Sequence, residues 1–261
     1  MSKKQPSPGY IILYAGAVAA VFTAAIVALQ VSTAGIVERN QRLLTERAVV
    51  DIFRLADVST QSDAEIARLF ETRVAGSYAA VPDENAPDPR RRPVNITDPQ
   101  TGRNIPLLVA YKQDLPADAP PPDPLAAENV VGYAFPLEGI GFWASIRGWM
   151  AVTPDAQTVL GVAFLQHQET PGLGGRITEP EFREQFQGIR LADPGRDGRY
   201  IYIDKNPVES DADPRKGRHV NAITGATGTS QAVSQFVNEN IAAFRRAMAA
   251  AQARRPAGEE Q

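Results

Sequence analysis

Cysteine is absent from the 261-residue chain, and histidine occurs only twice, at His167 and His219. The missing thiols exclude disulfide bonds, thiolate metal sites, cysteine-bound iron–sulfur clusters and cysteine nucleophiles. Two histidines are too few for a histidine-rich metal site. We therefore expect neither a metal site nor thiol chemistry, and any function must come from other side chains.

Charge is also absent from residues 5–37, and residues 10–31 are strongly apolar. A helix of about twenty apolar residues spans a bilayer, whereas the apolar region of a secretory signal peptide has only about 7–15 residues. We therefore expect an uncleaved transmembrane helix over residues 10–34 after a cytoplasmic tail, residues 1–9. The lysines of that tail favour this orientation. They predict a single-pass protein of the inner (cytoplasmic) membrane whose soluble domain faces the periplasm or outside.

The charge that follows the anchor is net negative, because all 30 acidic residues lie there, together with every basic residue except Lys3 and Lys4. This balance argues against nucleic acid as a partner. One basic run, Arg90–Arg92, could meet acidic lipid headgroups or a partner protein, but such a run is more often simply solvated.

Two helices are expected in residues 35–80, which we interpret as a stalk or lid. Residues 40–57 carry apolar side chains at helical spacing. The second helix begins near Ser62, because Ser62 and Glu65 have the spacing of a capping box. Proline-rich loops follow over residues 81–128, with one strand in the sequence NIPLLVAYK.

Residues 129–250 alternate short β-type runs with glycines. The sequence GWMAVTPDAQTVLGVAFLQH predicts a β-hairpin that turns at Pro154–Asp155, and RYIYID predicts a further strand. A last helix carries a single apolar stripe, before a flexible tail at 251–261. We therefore expect an α+β protein: one transmembrane helix, then an extracytoplasmic antiparallel-sheet domain with flanking helices. The stripe consists of Val233, Phe236, Val237, Ile241, Phe244 and Met248.

The sequence ETPGLGG, which begins at Glu169, follows the predicted hairpin. Pro171 and Gly172 suit the centre of a type II turn. Gly174 leaves the backbone bare, so that another group can approach closely, and Leu173 would project as a lone apolar side chain. By itself, this segment indicates only a glycine-rich turn.

The sequence NAITGATGTSQAV places four hydroxyl side chains immediately before the last helix: Thr224, Thr227, Thr229 and Ser230. A helix start offers free N–H groups and the positive end of the helix dipole, which favour a phosphate. The alternative is that one hydroxyl merely caps the helix, with Thr229 or Ser230 suited to that role. The segment lacks the Gly-Lys-Ser/Thr of a nucleotide-binding P-loop, and the chain lacks the Gly-x-Ser-x-Gly of a serine hydrolase.

Taken together, ETPGLGG and TGAT resemble the FMN-binding domain family of sodium-pumping NADH:quinone oxidoreductases and the related Rnf complex. In that family a Ser/Thr-Gly-Ala-Thr motif carries FMN as a phosphoester on its threonine, placed there by an FAD-dependent flavin transferase. Here Thr224, Gly225, Ala226 and Thr227 match, which implies covalent FMN at Thr227. Asn221 occupies a position where the family usually has aspartate.

The same resemblance implies the other contacts of the flavin. Its second motif, whose backbone and leucine lie against the flavin ring, is matched by His167, Glu169, Thr170, Pro171, Gly172, Leu173 and Gly174. We expect Leu173 and Trp143 to pack on the isoalloxazine. Lys205 could contact the flavin or its phosphate, or could equally be a solvated lysine at a strand end.

The resemblance covers essentially the whole chain apart from the proline-rich loops. It implies an electron-transfer subunit of a membrane NADH:ubiquinone reductase that translocates sodium, working with other subunits of the complex and relaying electrons through FMN. It implies no NADH site and no catalytic residue in this chain. The alternatives are a G-type subunit of an Rnf complex, which links ferredoxin and NAD, a membrane-anchored flavin-binding regulatory module, and an anchored adhesion or scaffolding domain without flavin.

Overall fold

The computed structural model describes residues 7–78, 87–117, 119–191, 194–195, 197–210 and 212–254. Contacts divide the chain into two units, Met1–Leu44 and Thr45–Gln261. The helices are α1 (Pro8–Ile52), α2 (Asp63–Arg73), α3 (Pro180–Arg183) and α4 (Thr227–Ala253). The strands are β1 (Val74–Ala75), β2 (Val94–Thr97), β3 (Asn104–Tyr111), β4 (Val130–Ile140), β5 (Ser145–Val152), β6 (Val159–Gln166), β7 (Tyr202–Asp204) and β8 (His219–Asn221).

The first unit consists of α1 up to Leu44. Within the described part of the chain, α1 is the one helix that is long and apolar enough to cross a membrane. The two segments predicted to be helical, residues 10–34 and 40–57, belong to one continuous helix, α1, which ends at Ile52. Its sequence between these segments contains no proline, and a single interior glycine costs only about 1 kcal/mol.

A Schellman motif ends α1. Arg54 has a left-handed φ of 56°, its N–H donates to the Asp51 carbonyl at 2.9 Å, and the Leu55 N–H donates to the Val50 carbonyl at 3.1 Å. The end of the helix is therefore fixed by local hydrogen bonds that satisfy its last carbonyl groups.

The capping box at the start of α2 is confirmed. Ser62 N donates to Glu65 Oε2 at 3.0 Å, and Glu65 N donates back to Ser62 Oγ at 3.4 Å. The apolar side of α2 is buried through Ile66 and Phe70, which lie in the core of the second unit. The helix α2 is therefore packed into the second unit and does not project from it as a stalk or lid.

The second unit is built on an antiparallel sheet with strand order β1-β3-β4-β5-β6, and β2 pairs with β3 outside this path. The predicted hairpin is confirmed as β5 and β6, and the predicted NIPLLVAYK strand as β3. The RYIYID segment is a strand only over β7, and β7 pairs in parallel with β8 in a separate two-stranded sheet. The sequence did not indicate this parallel pair.

Side chains alternate between the two faces of the main sheet, as the two-residue period of a strand requires. One face carries large residues such as Tyr133, Phe135 and Met150, and α4 covers it with the whole predicted apolar stripe. The other face is rich in alanine and is covered by the end of α1 and by α2. The alanines are Ala110, Ala134, Ala151 and Ala163.

The basic run Arg90–Arg92 is largely occupied by contacts within the protein. The Arg91 guanidinium lies 4.5 Å from the centre of the Phe70 ring, and its Nη2 donates to the Phe70 carbonyl at 3.2 Å. Burial lowers the pKa of Arg91. Arg91 therefore packs on the end of α2. Parts of the proline-rich loops, 81–86 and residue 118, and the tail from residue 255 lie outside the described residues.

We expect the free energy of unfolding to depend on pH through Asp98, which is 0% exposed. Its carboxylate accepts hydrogen bonds from Arg246 Nε at 3.0 Å and Nη2 at 2.7 Å, and Arg246 holds the pKa of Asp98 well below its usual range. A depressed folded-state pKa stabilises the protein above about pH 4, and this contribution is lost as the pH falls further. Arg246→Leu should cost on the order of 3 kcal/mol at pH 7, because the buried carboxylate loses its charged partner.

Urea unfolding at pH 7 and pH 3 measures this effect. The difference between wild type and Arg246→Leu should shrink markedly at pH 3. Glu138→Gln is the control, because Glu138 forms only exposed ion pairs, with Arg103 and Arg147, and exposed pairs contribute about 0–1 kcal/mol. A difference at pH 3 as large as that at pH 7 would contradict the assignment.

Candidate functional site

All the predicted site residues except Lys205 lie in three segments that meet. These are the turn between β4 and β5 (141–144), the loop after β6 (167–175), and the connection from β8 into α4 (222–227). More than forty residues separate the β4–β5 turn and the loop after β6 from the connection into α4. The folding of the sheet and the packing of α4 bring these segments together.

Glu169 links these segments. It is 4% exposed, and its Oε1 accepts hydrogen bonds from the backbone N–H groups of Phe142 at 2.8 Å and Trp143 at 3.1 Å. Its Oε2 accepts one from Thr229 Oγ1 at 2.5 Å. Both carboxylate oxygens are thus engaged by the protein itself. The backbone N–H of Glu169 donates to His167 Nδ1 at 3.2 Å.

The turn across Pro171 and Gly172 is confirmed. The Leu173 N–H donates to the Thr170 carbonyl at 3.1 Å, and Gly172 has a φ of 73°, which glycine adopts without strain. The Leu173 side chain remains 45% exposed. It lies over the TGAT segment, since a Cβ placed on Gly225 would be 3.2 Å from Leu173 Cδ2.

The TGAT segment forms a tight turn at the start of α4. Ala226 N donates to the Ile223 carbonyl at 3.1 Å, and Gly225 has a φ of 81°. Thr224 and Thr227 are both exposed. Thr227 is the first residue of α4, so its hydroxyl lies at the helix N-terminus, in contact with solvent.

The expectation that Thr229 or Ser230 caps this helix is wrong. Ala226 occupies the N-cap position, and no side chain caps the helix. The two hydroxyls lie inside the first turn, where Thr229 donates to Glu169 and Ser230 Oγ accepts from the Ile223 N–H at 3.0 Å. Since the N-cap side chain is a methyl group, the first N–H groups of α4 receive no side-chain acceptor from that position.

Two aromatic residues border the start of α4. Trp143 is 66% exposed, and its Nε1 donates to Thr170 Oγ1 at 3.2 Å. Phe142 packs over Gly228, because a Cβ on that glycine would be 2.4 Å from the Phe142 ring. The two rings contact edge to face with centroids 5.2 Å apart. The sequence had indicated Trp143 but not Phe142; the glycine after Thr227 was the one signal that a bulky group lies there.

Lys205 and Asn221 lie on the β7–β8 side of the site. Lys205 is exposed directly after β7, whose Asp204 is paired with Asn221, and it forms no hydrogen bond or ion pair with other described residues. Asn221 donates from both its backbone N (2.7 Å) and Nδ2 (2.9 Å) to Gln185 Oε1. An aspartate at this position would lack the N–H donor for the side-chain half of this contact.

Alanine should be tolerated differently at Gly174 and Gly172. A Cβ on Gly174 would lie 2.4 Å from Thr229 Oγ1 and 2.7 Å from Glu169 Oε2, so Gly174→Ala must displace that buried pair. A Cβ on Gly172 meets nothing within 4 Å, and its positive φ costs about 1–2 kcal/mol for a non-glycine residue. Thermal denaturation should show the larger loss for Gly174→Ala. A larger loss for Gly172→Ala would contradict this packing.

Comparison with known proteins matches this region to a family. Residues 141–242 match the model of the FMN-binding domain. The C subunit of the Na⁺-translocating NADH-quinone reductase of Chlamydia trachomatis serovar D is 30% identical over 147 residues, covering 52% of this chain and 46% of the relative. The equivalent protein of Chlamydia pneumoniae is 36% identical over 127 residues, covering 45% and 40%. The chain thus matches less than half the length of these curated relatives.

The fold is also shared with a solved structure. NqrC from Shewanella oneidensis aligns with a TM-score of 0.56 at 20% identity, over 83% of this chain and 99% of that one. At this identity the likeness concerns the fold. The matched residues 141–242 include the Glu169 loop and the TGAT turn, so this region is similar to the FMN-binding domain, and the chain is similar to C subunits of Na⁺-translocating NADH-quinone reductases.

Proposed function

We propose that the chain holds FMN as a phosphoester on Thr227 and relays electrons through it as a subunit of a membrane Na⁺-translocating NADH:quinone reductase. The observation that supports this most is the position of Thr227 in the FMN-binding domain. Its exposed hydroxyl stands at a helix start without a side-chain cap, bordered by exposed apolar side chains.

The phosphate is suited to the start of α4. The N–H groups of a first helical turn and the positive end of the helix dipole stabilise an anion, and the phosphodiester keeps one negative charge. The exposure of Thr227 leaves its hydroxyl accessible to a flavin transferase. In the proposed transfer, Thr227 Oγ1 bonds to the FMN phosphorus of FAD, the pyrophosphate bond breaks, AMP leaves, and the hydroxyl proton passes to solvent or to a base of the transferase.

The flavin ring is suited to the apolar border of the site. Phe142 (61% exposed) packs over Gly228, Leu173 lies over Gly225, and Trp143 contacts Phe142, so all three offer exposed apolar surface around the TGAT segment. Such side chains would cover part of the isoalloxazine and exclude water from it, which shifts its reduction potential. The bound flavin would supply the electron transfer, and these residues would orient it. Thr170, Gly172, Gly225 and Lys205 remain proposed contacts of the same group.

The membrane part of the proposal comes from α1. Its apolar length suits a single span, and the C subunits to which the chain is similar belong to an Na⁺-translocating NADH-quinone reductase. We therefore place the chain in the inner membrane beside other subunits of such a complex, with the second unit outside the cytoplasm. A single cysteine introduced after residue 45 into this cysteine-free chain should react with an impermeant reagent added outside intact cells. Reaction only after lysis would overturn the orientation.

Intact-mass analysis tests the flavin itself. Chain produced with an FAD-dependent flavin transferase should be heavier by one FMN less one water than chain produced without it, and should fluoresce in a denaturing gel. Purification in mild detergent should recover multi-spanning subunits with it. An identical mass with and without the transferase would contradict the proposal.

A further inference from the structure

Glu169 is the one residue among those described that hydrogen-bonds with both the β4–β5 turn and the first turn of α4. The chain places a carboxylate there at 4% exposure, without an Arg or Lys ion pair among the described residues. Burying such a group is costly unless its oxygens are satisfied. Two backbone N–H groups and one hydroxyl satisfy them.

Glu169 contacts or adjoins each segment that borders the proposed flavin site. Oε1 fixes the backbone of Phe142 and Trp143, the two exposed aromatic residues. Oε2 fixes Thr229, two residues after Thr227 on α4. The Glu169 backbone directly precedes the turn that carries Leu173, which begins at Thr170. Both oxygens of the carboxylate are thus already bonded within the protein, and the residue is only 4% exposed.

Glycines allow these contacts to be short. A Cβ on Gly141 would lie 2.5 Å from Glu169 Oε1, and a Cβ on Gly174 would lie 2.7 Å from Oε2. Both are far closer than ordinary van der Waals contact, so the backbone of two segments approaches the carboxylate directly. The arrangement therefore has little freedom to relax if the carboxylate is removed.

We propose that Glu169 is a positioning residue rather than a flavin ligand. It holds the β4–β5 turn, which carries Phe142 and Trp143, in a fixed position relative to the start of α4, so that a group attached to Thr227 contacts ordered side chains. The effect of Glu169 on the order of the flavin rests on the proposed function. The effect of Glu169 on Trp143 does not rest on it and can be measured in chain without flavin. The carboxylate acts through hydrogen bonds, so its charge is not required at the flavin.

Three variants of the full chain separate the contacts. Glu169→Ala removes both links. Glu169→Gln keeps them, since its amide oxygen can accept from the two N–H groups while its amide nitrogen donates to Thr229 Oγ1. Thr229→Val removes only the link to α4, with nearly unchanged side-chain volume.

The first measurement is the fluorescence anisotropy of Trp143 in chain made without the transferase. The signal is the difference between each variant and the same variant with Trp143→Phe, because the other tryptophan, the buried Trp149, also fluoresces. Glu169→Ala should lower the anisotropy of Trp143 well below that of wild type. Glu169→Gln and Thr229→Val should leave it unchanged.

The second measurement is the visible circular dichroism of the attached flavin per mole of flavin, well below the melting temperature. A covalent flavin stays attached when its surroundings loosen, so the signal reports order rather than binding. Glu169→Ala and Thr229→Val should lower it at least fivefold, and Glu169→Gln should stay within twofold of wild type. Arg246→Leu is the control for lost stability far from the site, and should keep the full signal.

Each failure has a distinct meaning. Wild-type chain that never acquires FMN contradicts the proposed function, while the anisotropy of Trp143 still tests the positioning role. Glu169→Ala with wild-type anisotropy and wild-type dichroism contradicts the positioning role and leaves the proposed function intact. Glu169→Gln that behaves like Glu169→Ala also contradicts it, because the charge and not the hydrogen bonds would then be essential.

Discussion

Thr227→Ala should abolish covalent flavin: chain made with the transferase should keep its unmodified mass and show no fluorescence in a denaturing gel. The expected effect is complete, because alanine has no oxygen that could bond to phosphorus. The loss should come without unfolding. Thr227 is exposed and, in the part of the chain that the structure describes, its side chain forms no hydrogen bond, so the melting temperature should change by only a few degrees.

Two matched variants accompany this test. Thr227→Ser keeps a hydroxyl in nearly the same place and should retain part of the attachment. Thr224→Ala removes the other exposed hydroxyl of the turn and should leave attachment present. Thr229→Ala is a poor control, since that hydroxyl is bonded to Glu169. Flavin fluorescence from denatured Thr227→Ala chain would show that the flavin is carried elsewhere.

A chain that begins at Asp57 should fail to fold, whereas one that begins at Glu38 should be folded and soluble without detergent. The longer deletion removes the end of α1 from the alanine-rich face of the sheet. Truncating one large buried side chain costs about 2–5 kcal/mol, and a domain has only about 5–15 kcal/mol in total. The core residues lost together are Val49, Val50, Ile52 and Phe53, each at most 2% exposed.

Circular dichroism and urea unfolding measure the outcome. Phe53→Ala in the chain that begins at Glu38 should lower the free energy of unfolding by about 3–5 kcal/mol. A mutation at the exposed Leu44 should change it by less than about 0.5 kcal/mol. A folded chain beginning at Asp57, with wild-type urea dependence, would show that the end of α1 is dispensable.

Local signals account for the features that the sequence predicted correctly. The capping box of Ser62, the hairpin of β5 and β6 and the turn at Gly172 each depend on residues within a few positions of one another. The stripe of α4 depends only on helical periodicity. Such features follow from backbone preference and hydrophobic spacing, which a single sequence shows directly.

Contacts between distant residues could not be predicted in this way. Glu169 and Thr229 are 60 positions apart, and Asp98 and Arg246 are 148 apart. Nothing in either local sequence indicates its partner, because these pairs exist only once the sheet and α4 have packed. The wrong expectation for Thr229 has the same origin: a local pattern indicated a cap, and a distant carboxylate binds the hydroxyl instead.

The position of α4 in the chain has a consequence for biosynthesis. The helix follows every strand of the main sheet in the chain and is therefore made after them, and it covers the face of the sheet that carries the large apolar residues. Until it leaves the ribosome, that face has no covering layer, and domains complete folding as units. A stalled or clipped product would therefore expose its sheet to chaperones and proteases. Thr227, at the start of α4, therefore reaches its folded surroundings only after α4 has been made, so the proposed flavin attachment to the folded site would follow the synthesis of this helix.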